Sequence, residues 1–277
     1  MSADQTLQIH PKVTLCLLTY GDYPNLAQRA LNSIRLQGPR TDYKLTVGAN
    51  SVCEETLDFI ETRHEAGEID RLIVSSENLC KCPMMRQMFA GLATEYVWWF
   101  DDDSYVTGPK TLSQWLQIAE SAPASTVMWG SLGCCQHPLA FTELEDVIGF
   151  VRSAPWYRGL PPPTWKPGGK GEFNFQGQNK GDGRWFFIFG GCWMMRTCAI
   201  RTLDWPDMRL TQNGDDVILG EAIRQQGWNM GNIGPLGVRI NTEARRGAGR
   251  DLFARLSARK EVDEDYERNT PVTEPDG

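Results

Sequence analysis

Tyr96-Val97-Trp98-Trp99-Phe100-Asp101-Asp102-Asp103 is an aromatic and β-branched run that stops on three consecutive aspartates. The first five residues have the composition of a buried strand, and the acids stand where such a strand would end. In open α/β sheets, ligands bind beyond the carboxyl ends of the strands. Adjacent carboxylates repel one another, and a hard divalent cation relieves that repulsion. Mg2+ typically takes one or two carboxylates and completes its shell with phosphate oxygens. The triplet therefore reads as a perch for a metal–diphosphate complex. A plainer reading stays open, in which the acids end the strand and cap the next turn.

The sequence on either side supplies the rest of the sheet. Val13–Thr19 is a near-continuous apolar run, the pattern of a strand buried on both faces. Pro24 opens a helix whose Ala27, Ala30, Leu31 and Ile34 follow the i, i+3, i+4, i+7 rule. Lys44–Val47 and Leu72–Ser75 read as strands, and Glu54–Ala66 and Met84–Ala93 as helices. This alternation is the βαβ signature. Downstream, Thr126–Trp129 reads as a strand, Glu143–Val151 as a short helix, and Trp185–Phe189 as a strand broken by Gly190-Gly191. Asp216–Gln226 is an amphipathic helix. Between them, residues 157–184 hold seven glycines and four prolines, which predicts a functional loop or a disordered segment. The fold class expected is α/β: one domain over residues 1–260, with a central mixed, mostly parallel sheet flanked by helices. Residues 261–277 form an acidic, flexible tail.

The chain has 277 residues, 41% hydrophobic and 23% charged, enough for an ordinary core. Its net charge is −7, of which the tail carries −6 through seven acids against Arg268. That balance argues against a protein whose main task is coating nucleic acid. The nearly neutral body suits an anionic or a neutral ligand. Val13–Leu18 is far shorter than the roughly 20 residues of a membrane-spanning helix, and the N-terminus shows no secretory signal pattern. We therefore expect a soluble, non-secreted, cytoplasmic protein without a transmembrane segment. The eight cysteines form no pair of C-x2-C spacings and read as buried reduced thiols.

Val13-Thr14-Leu15-Cys16-Leu17-Leu18-Thr19-Tyr20, then Glu77-Asn78-Leu79 leading to Arg86, then the run into Asp101-Asp102-Asp103, resemble the nucleotide-sugar half of GT-A glycosyltransferases. The order is similar to the family 2-like enzymes, and Asp101-Asp102-Asp103-Ser104-Tyr105-Val106 also resembles the Fringe-type branch. The similarity runs on through Gly190-Gly191-Cys192-Trp193-Met194 and Gly214-Asp215-Asp216-Val217-Ile218-Leu219-Gly220, covering roughly residues 12–230. It implies a nucleotide-sugar-binding half over 12–106 and an acceptor half over 107–243. Thr19, Tyr20 and Gly21 would lie near the base, Asn50 and Ser51 near the nucleoside, and Arg86 near the nucleotide. Asp103 would meet the metal, Mn2+ or Mg2+. Asp101 would sit nearer the ribose or sugar as a second candidate ligand, beside Asp102. Tyr20 is as well explained as a core aromatic, and Arg86 as an exposed helix residue.

Glycosyl transfer needs a base for the acceptor hydroxyl. Asp215-Asp216 matches the place where inverting GT-A enzymes carry it. Asp216 is the better candidate, with Asp215 the neighbour that could raise its pKa. The plainer alternative is an Asp pair satisfying the N–H groups of a helix start. Gly190-Gly191 suits a close backbone approach to the donor sugar or a turn. Among the tryptophans, Trp193 is the one expected beside the site. Residues 244–260 hold five arginines and one lysine, and Arg245 and Arg246 could close on a diphosphate; a solvated basic helix explains them almost as well. One departure stands out: the three histidines are His10, His64 and His137, so no late histidine is offered to a metal. Water, Asn241 or Glu243 would fill that place.

The function expected is a metal-dependent, inverting glycosyltransferase. It would use a nucleoside-diphosphate sugar, UDP-sugar by default, and the glycine-rich 157–184 segment would be its acceptor loop. The acceptor hydroxyl could belong to a glycan, a small molecule, a protein or a hydroxylated nucleobase in nucleic acid. Two rivals are a sugar-nucleotide pyrophosphorylase and a non-catalytic nucleotide-sugar-binding module. The first should carry a Gly-rich phosphate loop after strand one, where Thr19-Tyr20-Gly21-Asp22-Tyr23 offers one glycine.

Overall fold

Four strands come first, joined by three crossover helices: β1 (Val13–Gly21), β2 (Tyr43–Val52), β3 (Arg71–Ser75) and β4 (Tyr96–Asp101), with α1 (Pro24–Arg35), α2 (Glu54–Glu65) and α3 (Lys81–Phe89) between them. They pair in parallel in the order β3-β2-β1-β4. Val13–Leu18 is wholly buried because helices cover both faces of its strand. The sheet continues from β4 into an antiparallel β7 (Trp185–Arg196), then β6 (Thr126–Cys135), then β8 (Asn229–Asn232) parallel to β6, seven strands in all. It is a mixed, mostly parallel sheet in a single α/β domain. β5 (Ser104–Val106) pairs with β9 (Val238–Ile240) as a separate ribbon beside α1. The remaining helices are α4 (Thr111–Ser121), α5 (Val147–Arg152), α6 (Thr197–Leu203) and α7 (Asp215–Gln225). This computed structural model describes residues 11–135, 138, 142, 144–161 and 184–240. His10, His137, Asn241, Glu243, Arg245, Arg246, the acidic tail and residues 162–183 of the glycine-rich segment lie outside the described residues.

β4 divides its tryptophans between the two faces. Trp98 faces α4 and lies 5.1 Å from the Trp115 ring, whereas Trp99 faces α3 and stacks on Trp193 at 6.0 Å. Each joins a separate buried cluster, so β4 is the common wall of both cores. All eight cysteines are free thiols. Cys16, Cys82, Cys135 and Cys192 are the buried ones expected, and burial pushes each of their thiols up, which keeps them protonated and inert. Cys134 and Cys198 are exposed. Among the described residues, no helix is long and apolar enough to cross a membrane.

Three of the boundaries that differ from the periodicity have an identifiable cause. α3 begins at Lys81 rather than Met84, because the Lys81 N–H donates to Gln212 Oε1 (3.1 Å) and the Cys82 N–H to the Thr211 carbonyl (2.8 Å). These distant partners satisfy the first-turn donors that local sequence leaves open. α5 starts at Val147, where the Asp146 side chain accepts from the Gly149 N–H. Gly190-Gly191 does not end its strand. β7 runs to Arg196, held by β4 and β6 on either side, but its register against β6 jumps from Trp193↔Gly130 to Ile188↔Leu132. The two glycines thus form a wide bulge beside the end of β4.

Candidate active site

The carboxyl ends of β1, β2 and β4 open onto one rim, and the start of α7 meets it from the other half of the chain. β1 and β2 end in a bulge: Tyr20 pairs with Asn50 and Gly21 with Val52, which leaves Ser51 as the extra residue with φ of 54°. Gly21 has φ of 69°, where an added Cβ would lie 3.2 Å from the Tyr23 ring. Thr19 is buried, its hydroxyl donating to the Gly48 carbonyl (3.0 Å) inside the sheet. Asn50 is also buried and holds the loop before α3. Its Oδ1 accepts from the Leu79 N–H (2.9 Å), and its Nδ2 donates to Asn78 Oδ1 (3.1 Å) and the Cys80 carbonyl (3.4 Å). This clamp keeps Cys80 at φ of 67° and aims the next residue, Lys81, at the rim. Asn50→Ala leaves the Leu79 N–H and the Cys80 carbonyl without this partner, whereas Asn78 Oδ1 keeps the Cys80 N–H; leaving a buried group unsatisfied costs about 1–3 kcal/mol. Urea denaturation of the variant should show a loss in that range.

Lys81 is the residue that sequence reading missed, and it stands at the centre. Its Nζ donates to Asp101 Oδ2 (3.3 Å) and the Gly190 carbonyl (3.2 Å), and it bridges to Asp215 Oδ2 (3.2 Å). Burial alone would pull the ammonium pKa down. Asp101, then Asp215 and Asp216, outweigh it, and the net direction is up, so Lys81 stays charged. The bulge makes room for it: a Cβ on Gly190 would lie 3.0 Å from Nζ. The small residue expected to admit a donor sugar here admits a lysine.

The acidic triplet is divided by its contacts. Asp101 receives the Trp99 indole N–H on Oδ1 (3.0 Å) and Lys81 on Oδ2, so both oxygens are engaged. Asp102 is buried and accepts the Tyr20 N–H on Oδ2 (3.1 Å), tying β1 to the turn. Asp103 is half-buried on that turn. Among the described residues, no group of three His, Cys, Asp or Glu side chains could hold a metal ion. A hard cation needs only one protein carboxylate when a diphosphate brings further oxygens. The donor set fits a metal in that way alone, through Asp103, and Asp101 is turned to Lys81.

Asp215 and Asp216 open α7 behind Gly214, whose φ is 87°. Asp215 is buried; burial raises its pKa, Lys81 opposes and Asp101 adds to the rise, and the net direction is up. Asp216 is half-buried and accepts the Val217 N–H on Oδ1 (2.8 Å). Burial first, then the Asp215 carboxylate, push it up to about 7. A carboxylate poised there is matched to proton transfer near neutral pH.

Two expected site residues are placed elsewhere. Arg86 donates to both oxygens of Asp204 (2.8 and 2.9 Å) and to the Pro206 carbonyl (2.6 Å), which ties α3 to the loop after α6. It lines a cavity of about 350 Å³ with Cys82, Gln87, Asp207 and Met208, apart from the acidic residues of the rim. Trp193 is buried in the core, stacked on Trp99 and edge-on to Phe89 at 6.1 Å, so it supports the wall from behind. His64 lies on α2, with Nδ1 2.9 Å from the Ile69 carbonyl.

No protein-family model matches the sequence, and no curated protein matches it. Solved structures do. The mannosyltransferase PcManGT from Pyrobaculum calidifontis, in complex with GDP-Man and Mn2+, superposes with a TM-score of 0.59 at 13% identity, over 95% of this chain and 66% of that one. S. aureus TarS 1-349 superposes at 0.49 and 14% identity, over 76% and 55%, and its complex with UDP at 0.48 and 14%, over 81% and 61%. The chain spans less than two thirds of the length of each. The superposition on the mannosyltransferase shows a shared α/β fold.

Proposed function

We propose that the chain is an inverting glycosyltransferase that moves a sugar from a nucleoside-diphosphate sugar, UDP-sugar by default, to an acceptor hydroxyl. The observation that carries this reading is Asp216: a half-buried carboxylate pushed up to about 7, in the first turn of a helix whose other acid, Asp215, is bridged through Lys81 to Asp101 at the end of β4. Asp216 takes the proton of the acceptor hydroxyl as it attacks the anomeric carbon. Tyr20, Gly21 and Ser51, on the bulged ends of β1 and β2, flank the nucleoside, and Asn50 acts through the loop it clamps. Asp101 and Lys81 form the floor of the sugar end of the site. A divalent metal, Mn2+ or Mg2+, would be held by Asp103 and would stabilise the leaving diphosphate as a Lewis acid. The acceptor is a glycan, a small molecule, a protein or a modified nucleobase.

Calorimetry with UDP, GDP, CDP and dTDP, each with Mn2+ and with EDTA, tests the reading. One nucleotide should bind, more tightly with Mn2+, and Asp103→Ala should lose the metal-dependent part. A folded protein that binds none of the four would make the acidic triplet structural and remove the enzyme reading.

A further inference from the structure

A buried ammonium is stable only when acceptors surround it, and Lys81 has three of them on three different elements. Asp101 ends β4, Gly190 lies in the β7 bulge, and Asp215 opens α7. An ammonium has three N–H donors, so these protein groups use them all and none is left for a phosphate oxygen. The side chain is only 12% exposed. The bridge reaches across 134 residues of sequence to the first turn of α7, and it takes one member of the Asp215-Asp216 pair. Asp216 is not one of these three contacts, although its charge also acts on Lys81; it accepts from the Val217 and Gly190 backbone.

Resting on the transferase reading above, we infer that Lys81 is a positioning residue. By holding Asp215 in the bridge to Asp101 it fixes the first turn of α7, so that Asp216 and not Asp215 presents its carboxylate to the acceptor hydroxyl. A lysine beside a diphosphate site would ordinarily be assigned to phosphate binding as a point charge. The saturated donors speak for the other role, and the two roles separate in kinetics. A phosphate ligand changes nucleotide affinity, whereas a positioning residue changes the transfer step.

Lys81→Met keeps the aliphatic stem and removes the charge. Transfer to water, read as nucleotide release from UDP-sugars or from the sugars of whichever nucleotide the calorimetric screen selects, needs no acceptor. We expect kcat for that release to fall about 100-fold in Lys81→Met, the scale of a misplaced catalytic group. Calorimetric affinity for the nucleoside diphosphate should stay within about threefold, which also reports that the variant is folded. Lys81→Arg, which keeps the charge, should recover part of the rate. Asp215→Asn removes the charge at the other end of the bridge, and the double variant should be less slow than the two single effects multiplied, because both remove the Lys81–Asp215 ion pair. The inference is overturned if Lys81→Met keeps kcat within about twofold, if it loses about tenfold in nucleotide affinity at unchanged kcat, or if the two substitutions add in full. Wild-type protein that neither binds a nucleoside diphosphate nor releases one from a nucleotide sugar removes the transferase reading, and this inference with it.

Discussion

Asp216→Asn should lower sugar transfer about 1,000-fold while leaving nucleoside-diphosphate affinity unchanged, since a positioned base contributes 10²–10⁴-fold. Asn keeps the shape and the bond from the Val217 N–H but cannot accept a proton from a hydroxyl. The pH dependence carries the sign. Burial and Asp215 push Asp216 up to about 7, so the proton is on the carboxyl below that pH and off above it. The base is the deprotonated form. The wild-type rate should therefore rise about tenfold per pH unit towards 7 and level off above it, a limb that belongs to the Asp215–Asp216 pair together. The Asn variant should lack that limb. Rates measured from pH 5 to 9 on both proteins check it, and a variant that retains the limb would move the base to another residue.

Much of this centre was legible in the sequence, and the rest was not for a definite reason. The apolar run Val13–Leu18 and the run Tyr96–Phe100 specify strands buried on both faces, and an acidic triplet after such a strand marks its ligand-binding end. Asp215-Asp216 stands out by its resemblance to the place where inverting GT-A enzymes carry a base, with a helix start as the plainer reading. These are local patterns. Lys81 has none: Lys81-Cys82-Pro83 reads as loop, and the helix starts there only because Gln212 and Thr211 cap it. Its partners lie 20 and 134 residues away, and no spacing rule ties a lysine to carboxylates over such distances. Gly190 hides the same neighbour, since the space beside its missing side chain holds the Lys81 ammonium from another element. Trp193 and Arg86 show the converse. A tryptophan and an arginine near a motif attract a ligand role, yet an aromatic cluster and an Asp204 ion pair account for them.

Gly220→Ala should unfold the protein at markedly lower temperature, although alanine is the better helix former. In an exposed helix the exchange gains about 1 kcal/mol. Here α7 lies directly on β7, and the new Cβ would stand 2.0 Å from the Phe186 carbonyl oxygen and 3.0 Å from Phe187 Cα. Those are backbone atoms of a strand held there by its pairing with β6, so no side chain can turn away; helix and strand must separate. The neighbours Val217, Ile218, Ala222 and Ile223 are all fully buried and lose their contacts as the helix moves. Overpacking against a rigid wall lies at or beyond the upper end of the usual range of about 1–3 kcal/mol, so the clash outweighs the propensity gain. A net loss of about 2 kcal/mol corresponds to a Tm lower by roughly 4–8 °C in a domain of this size. Because the same helix begins with Asp215 and Asp216, its displacement also pulls the carboxylate pair away from Lys81. Transfer should therefore fall by more than the folded fraction does, with nucleotide affinity little changed. Calorimetric scanning and nucleotide release, measured on the same preparation well below Tm, separate the two effects. A variant as stable as the wild type would mean that α7 and β7 lie further apart than the packing of Gly220 on Phe186 requires.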